Sequence, residues 1–312
     1  MVFIKMKALY WSHFQNYVRC PQRFLWYRGW KNIDLGNGPG KPKPKPKKSS
    51  EHHALMGDVI QYAVECFYNK KMYKEPSTAL KNMKEAALQF FEEKSKKRYI
   101  EWDSCPPKEE LLEVCINGID GFIDTLKAHT LIGPYARSEV QYIGRVDRNT
   151  PIGGRVDIVI QRPDTGITLL DGKNSKYKGK YLDHRQLVWY ALCYYAVHRK
   201  VPDRLGYIYW RFPHGLKNED GSLESGIEWI DFSRSQMKVL AYDAIKVKRQ
   251  MDLNKFDPTP SNVNCKFCDY ESVCTARQKN LVDLENDNSS INKALSGKGL
   301  VELPMNSFPE DD

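Results

Sequence analysis

An acid inside an otherwise apolar stretch, and an acid and a lysine two residues apart, are the first candidates for chemistry. The stretch is Gly154-Arg155-Val156-Asp157-Ile158-Val159-Ile160, and Asp171 and Lys173 close Ile167-Thr168-Leu169-Leu170-Asp171-Gly172-Lys173. Both are rich in β-branched residues and are separated by Arg162-Pro163-Asp164-Thr165-Gly166, so they read as neighbouring strands of a hairpin. On a strand, residues i and i+2 share a face, which sets Asp171 beside Lys173. The same alternation predicts that Asp157 faces away from both Val156 and Ile158. The hairpin brings Asp157 alongside the pair. Two carboxylates and an ammonium at one point suit metal-assisted phosphodiester hydrolysis. Carboxylate oxygens hold a hard cation such as Mg²⁺ or Mn²⁺, and the cation polarises the phosphate and acidifies a water. The lysine orients that water or stabilises charge developing on phosphorus. Taken alone, Asp-Gly-Lys reads more simply as a solvated turn. The acid upstream, set among Val and Ile, is what favours a site.

A second candidate is a group of cysteines. Of eight in the chain, three lie within ten residues, Cys265, Cys268 and Cys274. An even cysteine count suits disulfides in an exported chain, but the first residues lack the apolar run and small-residue cleavage site of a signal peptide. In a reducing compartment such close spacing points to metal. Three thiolates leave a tetrahedral or cubane site one ligand short, and Cys20, followed by Pro21, is the distant candidate. Zinc, an iron–sulfur cluster and unliganded thiols all remain open from spacing alone. Cys66, Cys105, Cys115 and Cys193 sit singly in apolar patterns or beside a proline break and read as small core residues.

The elements that must position these residues follow from periodicity. A helix is expected over residues 12–30, opening after Ser12 as N-cap and interrupted at Cys20-Pro21. Residues 54–127 show helical spacing with a break at Cys105-Pro106-Pro107. Strands are expected over 137–147, 152–161 and 166–171, a helix over 181–198, two strand-like runs after it, and a last helix over 233–251. In domains this gives an N-terminal helical segment (1–35), a basic Gly/Pro/Lys linker (36–50), a helical subdomain (51–135) and an α/β core (136–255). A cysteine-rich loop (256–280) and an acidic, disordered tail (281–312) complete the chain. The net charge of +9 rests on the residues before that tail, which holds two Lys against seven Asp and Glu. A basic body suits a polyanionic partner, and equally suits solubility. No apolar run reaches the roughly 20 residues that span a bilayer, so an intracellular, cytoplasmic protein is expected.

In this order the motifs resemble the PD-(D/E)xK nuclease superfamily, in its RecB-like branch. Gly154-Arg155-Val156-Asp157 and Leu169-Leu170-Asp171-Gly172-Lys173 are similar to its second and third motifs. The resemblance implies a restriction-endonuclease-like α/β core, a mixed sheet flanked by helices, with a helical N-terminal subdomain. It implies that Asp157 and Asp171 bind metal, that Gly172 lends its carbonyl and that Lys173 is catalytic. Glu139 matches an acid usual on the first strand. Gln186 and Tyr190 match a Q-x3-Y pattern on the helix after the lysine, where residues four apart share a face. One departure concerns a G-x3-H pattern whose histidine is a further metal ligand: here Gly57 leads to Gln61, a weaker ligand, while His52 and His53 lie outside the pattern. The cysteines, with Cys20-Pro21-Gln22-Arg23-Phe24, resemble those of iron–sulfur nucleases such as AddB-type helicase–nucleases and CRISPR-associated RecB-like exonucleases. That implies a 4Fe-4S cluster on Cys20, Cys265, Cys268 and Cys274, clamping the two ends together.

The function expected is a Mg²⁺- or Mn²⁺-dependent DNA exonuclease acting on single-stranded ends in recombination, repair or end processing. Tyr177, Tyr181 and Trp189, with Lys176, Lys178 and Lys180, are expected to line a stacking and phosphate track. The alternatives are a non-catalytic DNA-binding or assembly protein on the same fold, for which Gln61 argues, and an accessory nuclease subunit in CRISPR adaptation or beside a helicase. The sequence has no G-x4-G-K-[ST] motor motif, so a helicase would act in trans.

Overall fold

A computed structural model describes residues 6–28, 50–128, 135–175, 178, 183–211, 226–266 and 268–277. The chain opens with β1 (Leu9–Tyr10), α1 (Trp11–Arg19) and α2 (Pro21–Arg28). The break falls at Cys20, as expected, because Pro21 has no N–H to continue the first helix. Ser12 is not the cap: it lies inside the first turn, and the Tyr10 N–H bonds to His13 Nδ1 at 3.5 Å. Residues 54–127 resolve into three helices, α3 (His52–Asn69), α4 (Pro76–Ser95) and α5 (Lys108–Ala128). Apolar spacing did not reveal the turn between α3 and α4, where Lys71 takes a left-handed backbone, φ 55°.

The sheet is mixed. β2 (Ala136–Arg145), β3 (Pro151–Arg162) and β4 (Gly166–Lys173) form the expected antiparallel meander. α6 (Arg185–His198) then crosses to β5 (Arg204–Tyr209), which pairs parallel with β4, and β6 (Ile227–Ile230) pairs antiparallel with β5. α7 (Arg234–Asp252), capped by the Ser233 hydroxyl, and α8 (Asn262–Lys266) follow. β1 joins this sheet in parallel with β3, Leu9 opposite Ile152. With β2 along one edge of β3, β1 and β4 must share the other, at Ile152–Gly153 and from Ile158 onward. Between them, residues 154–157 have no strand partner on that edge among the described residues.

Helices cover both faces of the sheet. Phe14, Phe24, Trp189, Leu192, Leu240 and Val156 belong to one core, and Leu55, Ile60, Phe91, Phe122, Ile158 and Leu170 to the other. Each Leu, Ile or Phe buried this fully stabilises the fold by about 1.5–3 kcal/mol. The division carries a correction. Ile152 and Val156 pack on the α6 side, but Ile158 and Ile160 pack on the α3–α5 side. On β2, likewise, Tyr142 and Ala136 belong to different cores. The two-residue alternation therefore slips in both strands at once, at Glu139 and Asp157, while the register holds: Ser138 opposite Ile158, Val140 opposite Val156. Glu139 absorbs the slip with a left-handed backbone, φ 54°. Val156 and Ile158 thus do not share a face.

Among the described residues no helix is long and apolar enough to cross a membrane. The basic tract before Ser50 and the acidic stretch from residue 281 lie outside the described residues.

Candidate active site

The centre forms where the β3–β4 ladder stops. Pairing ends at Ile158 and Leu170, and beyond it a side chain replaces the backbone partner: the Gly172 N–H donates to Asp157 Oδ2 at 2.8 Å. Asp171 and Lys173, on one face as alternation predicts, form an ion pair. Gln186 on α6 joins them. Its Oε1 accepts from Lys173 Nζ at 3.0 Å, and its Nε2 donates to Asp171 Oδ1 at 3.1 Å and to the Tyr190 hydroxyl at 3.0 Å. Tyr190, one turn further along, also bonds Asp171. Asp157, Asp171, Lys173, Gln186 and Tyr190 are therefore gathered in one cluster drawn from three elements.

Its electrostatics are those of buried like charges. Burial pushes the Asp157 carboxyl well above the usual carboxylate range, Asp171 beside it pushes the same way, and the Gly172 N–H opposes both. Burial also raises Asp171, against the Lys173 ammonium. Burial, then Asp171 and Asp157, raise the Tyr190 phenol, so its hydroxyl stays a donor near neutral pH. Two desolvated carboxylates favour a further positive charge, and their oxygens suit a hard cation. Among the described residues no three His, Cys, Asp or Glu side chains gather as a ready-made metal cage. Mg²⁺ needs none, because it commonly takes one or two protein carboxylates and fills its shell with water and phosphate. The donor set fits such an ion.

Glu139 and Gln61 meet at the edge of this cluster. Gln61, on α3, donates from Nε2 to Glu139 Oε1 at 2.6 Å, and Arg155 Nε reaches Glu139 Oε2 at the same 2.6 Å. Both Glu139 oxygens are thus engaged. Nothing in the motif reading singled out Arg155, although it stands two residues before Asp157. Also missed were Tyr207, whose ring lies 5.1 Å from Lys173 Nζ, and Trp210, which packs over Gly172. A Cβ at Gly172 would lie 1.9 Å from Trp210 Cζ2, so only glycine fits between Asp171 and Lys173.

Trp189 is not at a binding surface. It is fully buried, and its Nε1 donates to the Gly153 carbonyl at 3.0 Å. α6 is apolar nearly all round, so spacing did not tell which of its aromatics points outward. Tyr177, Tyr181, Lys176 and Lys180 lie outside the described residues, and Lys178, which lies within them, is not without a partner. His52 and His53 start α3, their rings 4.0 Å apart.

Cys20, Cys265, Cys268 and Cys274 line one enclosed pocket of about 20 Å³ with Gln22, Arg23 and Trp26. The chain's two ends meet here: Arg23 pairs with Asp269 at 3.4 Å, and the Thr259 hydroxyl donates to the Arg19 carbonyl at 3.0 Å. Burial pushes the Cys268 thiol up, and the neighbouring Cys20 and Cys265 thiols push the same way. The four sulfurs share the pocket but are not closed into a metal cage. Cys66, Cys115 and Cys193 are buried core thiols, as expected, while Cys105 is only partly covered.

Residues 11–275 match the family described as the PD-(D/E)XK nuclease superfamily. Comparison with curated proteins finds no match. Among solved structures, the crystal structure of SSO0001 is similar over 70% of this chain and 85% of that one, at 17% identity and a TM-score of 0.30.

Proposed function

The chain belongs to the PD-(D/E)XK nuclease superfamily, and from that premise we propose that it is a metal-dependent DNA exonuclease of the RecB-like branch, acting on single-stranded ends in recombination, repair or end processing. The observation that carries the reading is the bonded cluster of Asp157, Asp171, Lys173 and Gln186. Asp157, Asp171 and the Gly172 carbonyl would hold Mg²⁺ or Mn²⁺, with the Gln61 amide oxygen as a further ligand. When bound, the cation polarises the scissile phosphate and acidifies water near it. Lys173 steadies the charge that develops on the phosphate oxygens and orients the attacking water. Gln186 fixes the ammonium relative to Asp171, and Tyr190 donates without acting as a base, since its phenol is raised.

A 4Fe-4S cluster on Cys20, Cys265, Cys268 and Cys274 is part of the same reading, supported by their common pocket. Its role is to fasten the chain's two ends; zinc on the same thiolates is the competing occupant.

The test is degradation of end-labelled single-stranded DNA with Mn²⁺, using protein purified without oxygen, beside Lys173→Ala and EDTA controls. Metal-dependent shortening that disappears with Lys173→Ala supports the reading. DNA bound but left whole favours the second reading, a non-catalytic DNA-binding protein, which the amide of Gln61 in a histidine's place supports. An absorbance scan of the same sample separates a coloured iron–sulfur protein from a colourless zinc protein.

A further inference from the structure

We propose that Arg155 grips the DNA phosphate next to the one being cut, and that Glu139 and Gln61 hold it in place. This rests on the nuclease reading and names the contact that draws a polyanion to an acidic centre.

Three observations converge on it. The Arg155 side chain is 68% exposed, yet it is anchored: its Nε meets Glu139 Oε2 at 2.6 Å. An exposed arginine ordinarily spends its side-chain freedom in solvent. This one is held by the inner edge of its guanidinium, and its Nη groups bond no other described residue. A guanidinium fork presented this way matches the paired oxygens of a phosphate.

The anchor is itself supported. Glu139 is only 15% exposed and accepts from Gln61 Nε2 at 2.6 Å on its other oxygen. Its left-handed backbone, φ 54°, is a strained conformation for a residue with a side chain. That conformation sits where β2 and β3 change faces together. The strain is thus spent where it turns one carboxylate toward both Gln61 and Arg155.

Position supplies the third observation. Arg155 and Asp157 both lie on the stretch of β3 that neither β1 nor β4 covers. A nucleic-acid strand with its phosphate at Asp157 and Asp171 would have its neighbouring phosphate beside Arg155. Charge points the same way, because Asp157, Asp171 and Glu139 together repel a phosphodiester, and Lys173 is already committed to Asp171 and Gln186.

The experiment compares wild type, Arg155→Ala, Arg155→Lys and Glu139→Gln. Affinity for a single-stranded oligonucleotide is read by fluorescence anisotropy in Ca²⁺ at several salt concentrations, and kcat and KM are read in Mn²⁺. A diester with one phosphate, bis(para-nitrophenyl) phosphate, is the control substrate. For Arg155→Ala, Kd and KM rise about tenfold, and the slope of log Kd against log salt flattens by about 0.7, one phosphate contact on a single strand. kcat on DNA, and hydrolysis of the small diester, fall less than about threefold, since the lost contact is uniform binding. Arg155→Lys restores the slope but only part of the affinity, because an ammonium has no fork. Glu139→Gln raises KM with the slope kept. An unchanged Kd and slope in Arg155→Ala overturns the proposal, as does an equal loss on DNA and on the small diester, which would make Arg155 a support for Glu139 only. If wild type cuts neither substrate while Arg155→Ala still shifts Kd and slope, the nuclease reading fails and the phosphate grip stands.

Discussion

Around Asp157 and Asp171 each side chain is tied to a neighbour through bonds drawn from β3, β4 and α6, and Gly172 is fitted so closely against Trp210 that no Cβ has room. Around Cys20 and Cys265 the contacts are sparse. Two segments some 245 residues apart are joined by the Arg23–Asp269 pair at 3.4 Å, the Thr259–Arg19 bond at 3.0 Å, the Trp26–Tyr270 ring pair at 5.3 Å and a long Cys274 Sγ to Gln22 Oε1 contact of 3.7 Å. The carboxylate centre is preorganised by the sheet, which exists for packing reasons and needs no ion to form. The cysteine pocket has no such scaffold. A metal centre on the thiols, as proposed, would supply much of the fastening, as a crosslink closing a long loop does. One region should therefore lose chemistry without losing structure, and the other the reverse.

The largest expected effect tests the first half of that contrast. Lys173→Ala should slow single-turnover cleavage by about 10²–10³-fold, the scale for removing one preorganised charge-stabilising group. Calorimetric Mn²⁺ binding should persist, since both carboxylates stay. Loss of Mn²⁺ binding together with the fold would break the contrast.

Cys268→Ser tests the second half. Bound metal, read by elemental analysis, should drop, and unfolding free energy should fall by about 2–5 kcal/mol, the range for losing a native crosslink. Nuclease activity per folded molecule should stay within severalfold. Cys66→Ser, a buried thiol away from the pocket, should leave the metal content alone.

Gly172→Ala sharpens the account of fit at the centre. With its Cβ 1.9 Å from Trp210 Cζ2, overpacking should destabilise by about 1–3 kcal/mol, and displacement of Lys173 should reduce the rate as well. A denaturant melt that matched wild type would show that the site is looser than its bonds suggest.

The smallest effect is in pH, and the carboxylate centre and the opening helix α1 should respond with opposite sign. His13, on α1 beside Phe24, is pushed down to about 4 by burial and then by Arg28. Its neutral ring contributes stability that is complete above the usual 6.5 and is lost as pH falls from 6.5 toward 4. Asp157 is raised instead, so its contribution is present below the usual 3.8 and is lost as pH rises through its folded value. Melting in EDTA should show both slopes. Mn²⁺ should cancel only the second, and His13→Gln only the first.

Much of the centre was legible because it obeys short-range rules. The two-residue period set Asp171 beside Lys173, and the four-residue spacing set Gln186 beside Tyr190. The meander and the break at Cys20 also followed from local sequence. What was not legible depends on tertiary context. No local signal marks the change of faces at Glu139 and Asp157, because a left-handed glutamate is imposed by two strands slipping together. Leu9–Tyr10 is too short to announce a strand and exists through its pairing with β3. Trp189 was misplaced because α6 is enclosed on nearly every side, so its period carries no direction.

The parallel pairing of β1 with β3 also sets an order of events. Leu9 meets Ile152, and the Tyr17 hydroxyl meets the Lys255 carbonyl, so the opening segment depends on partners that leave the ribosome long after it does. Contacts across such separations form late, once local helices and hairpins have appeared. The segment synthesised early is thus docked late, and the cysteine pocket, which needs both, is completed later still. During synthesis the residues of the carboxylate cluster, from 157 to 190, all emerge before Lys255 and the cysteines beyond it. The maturing chain holds its chemical groups before it can fasten its own beginning.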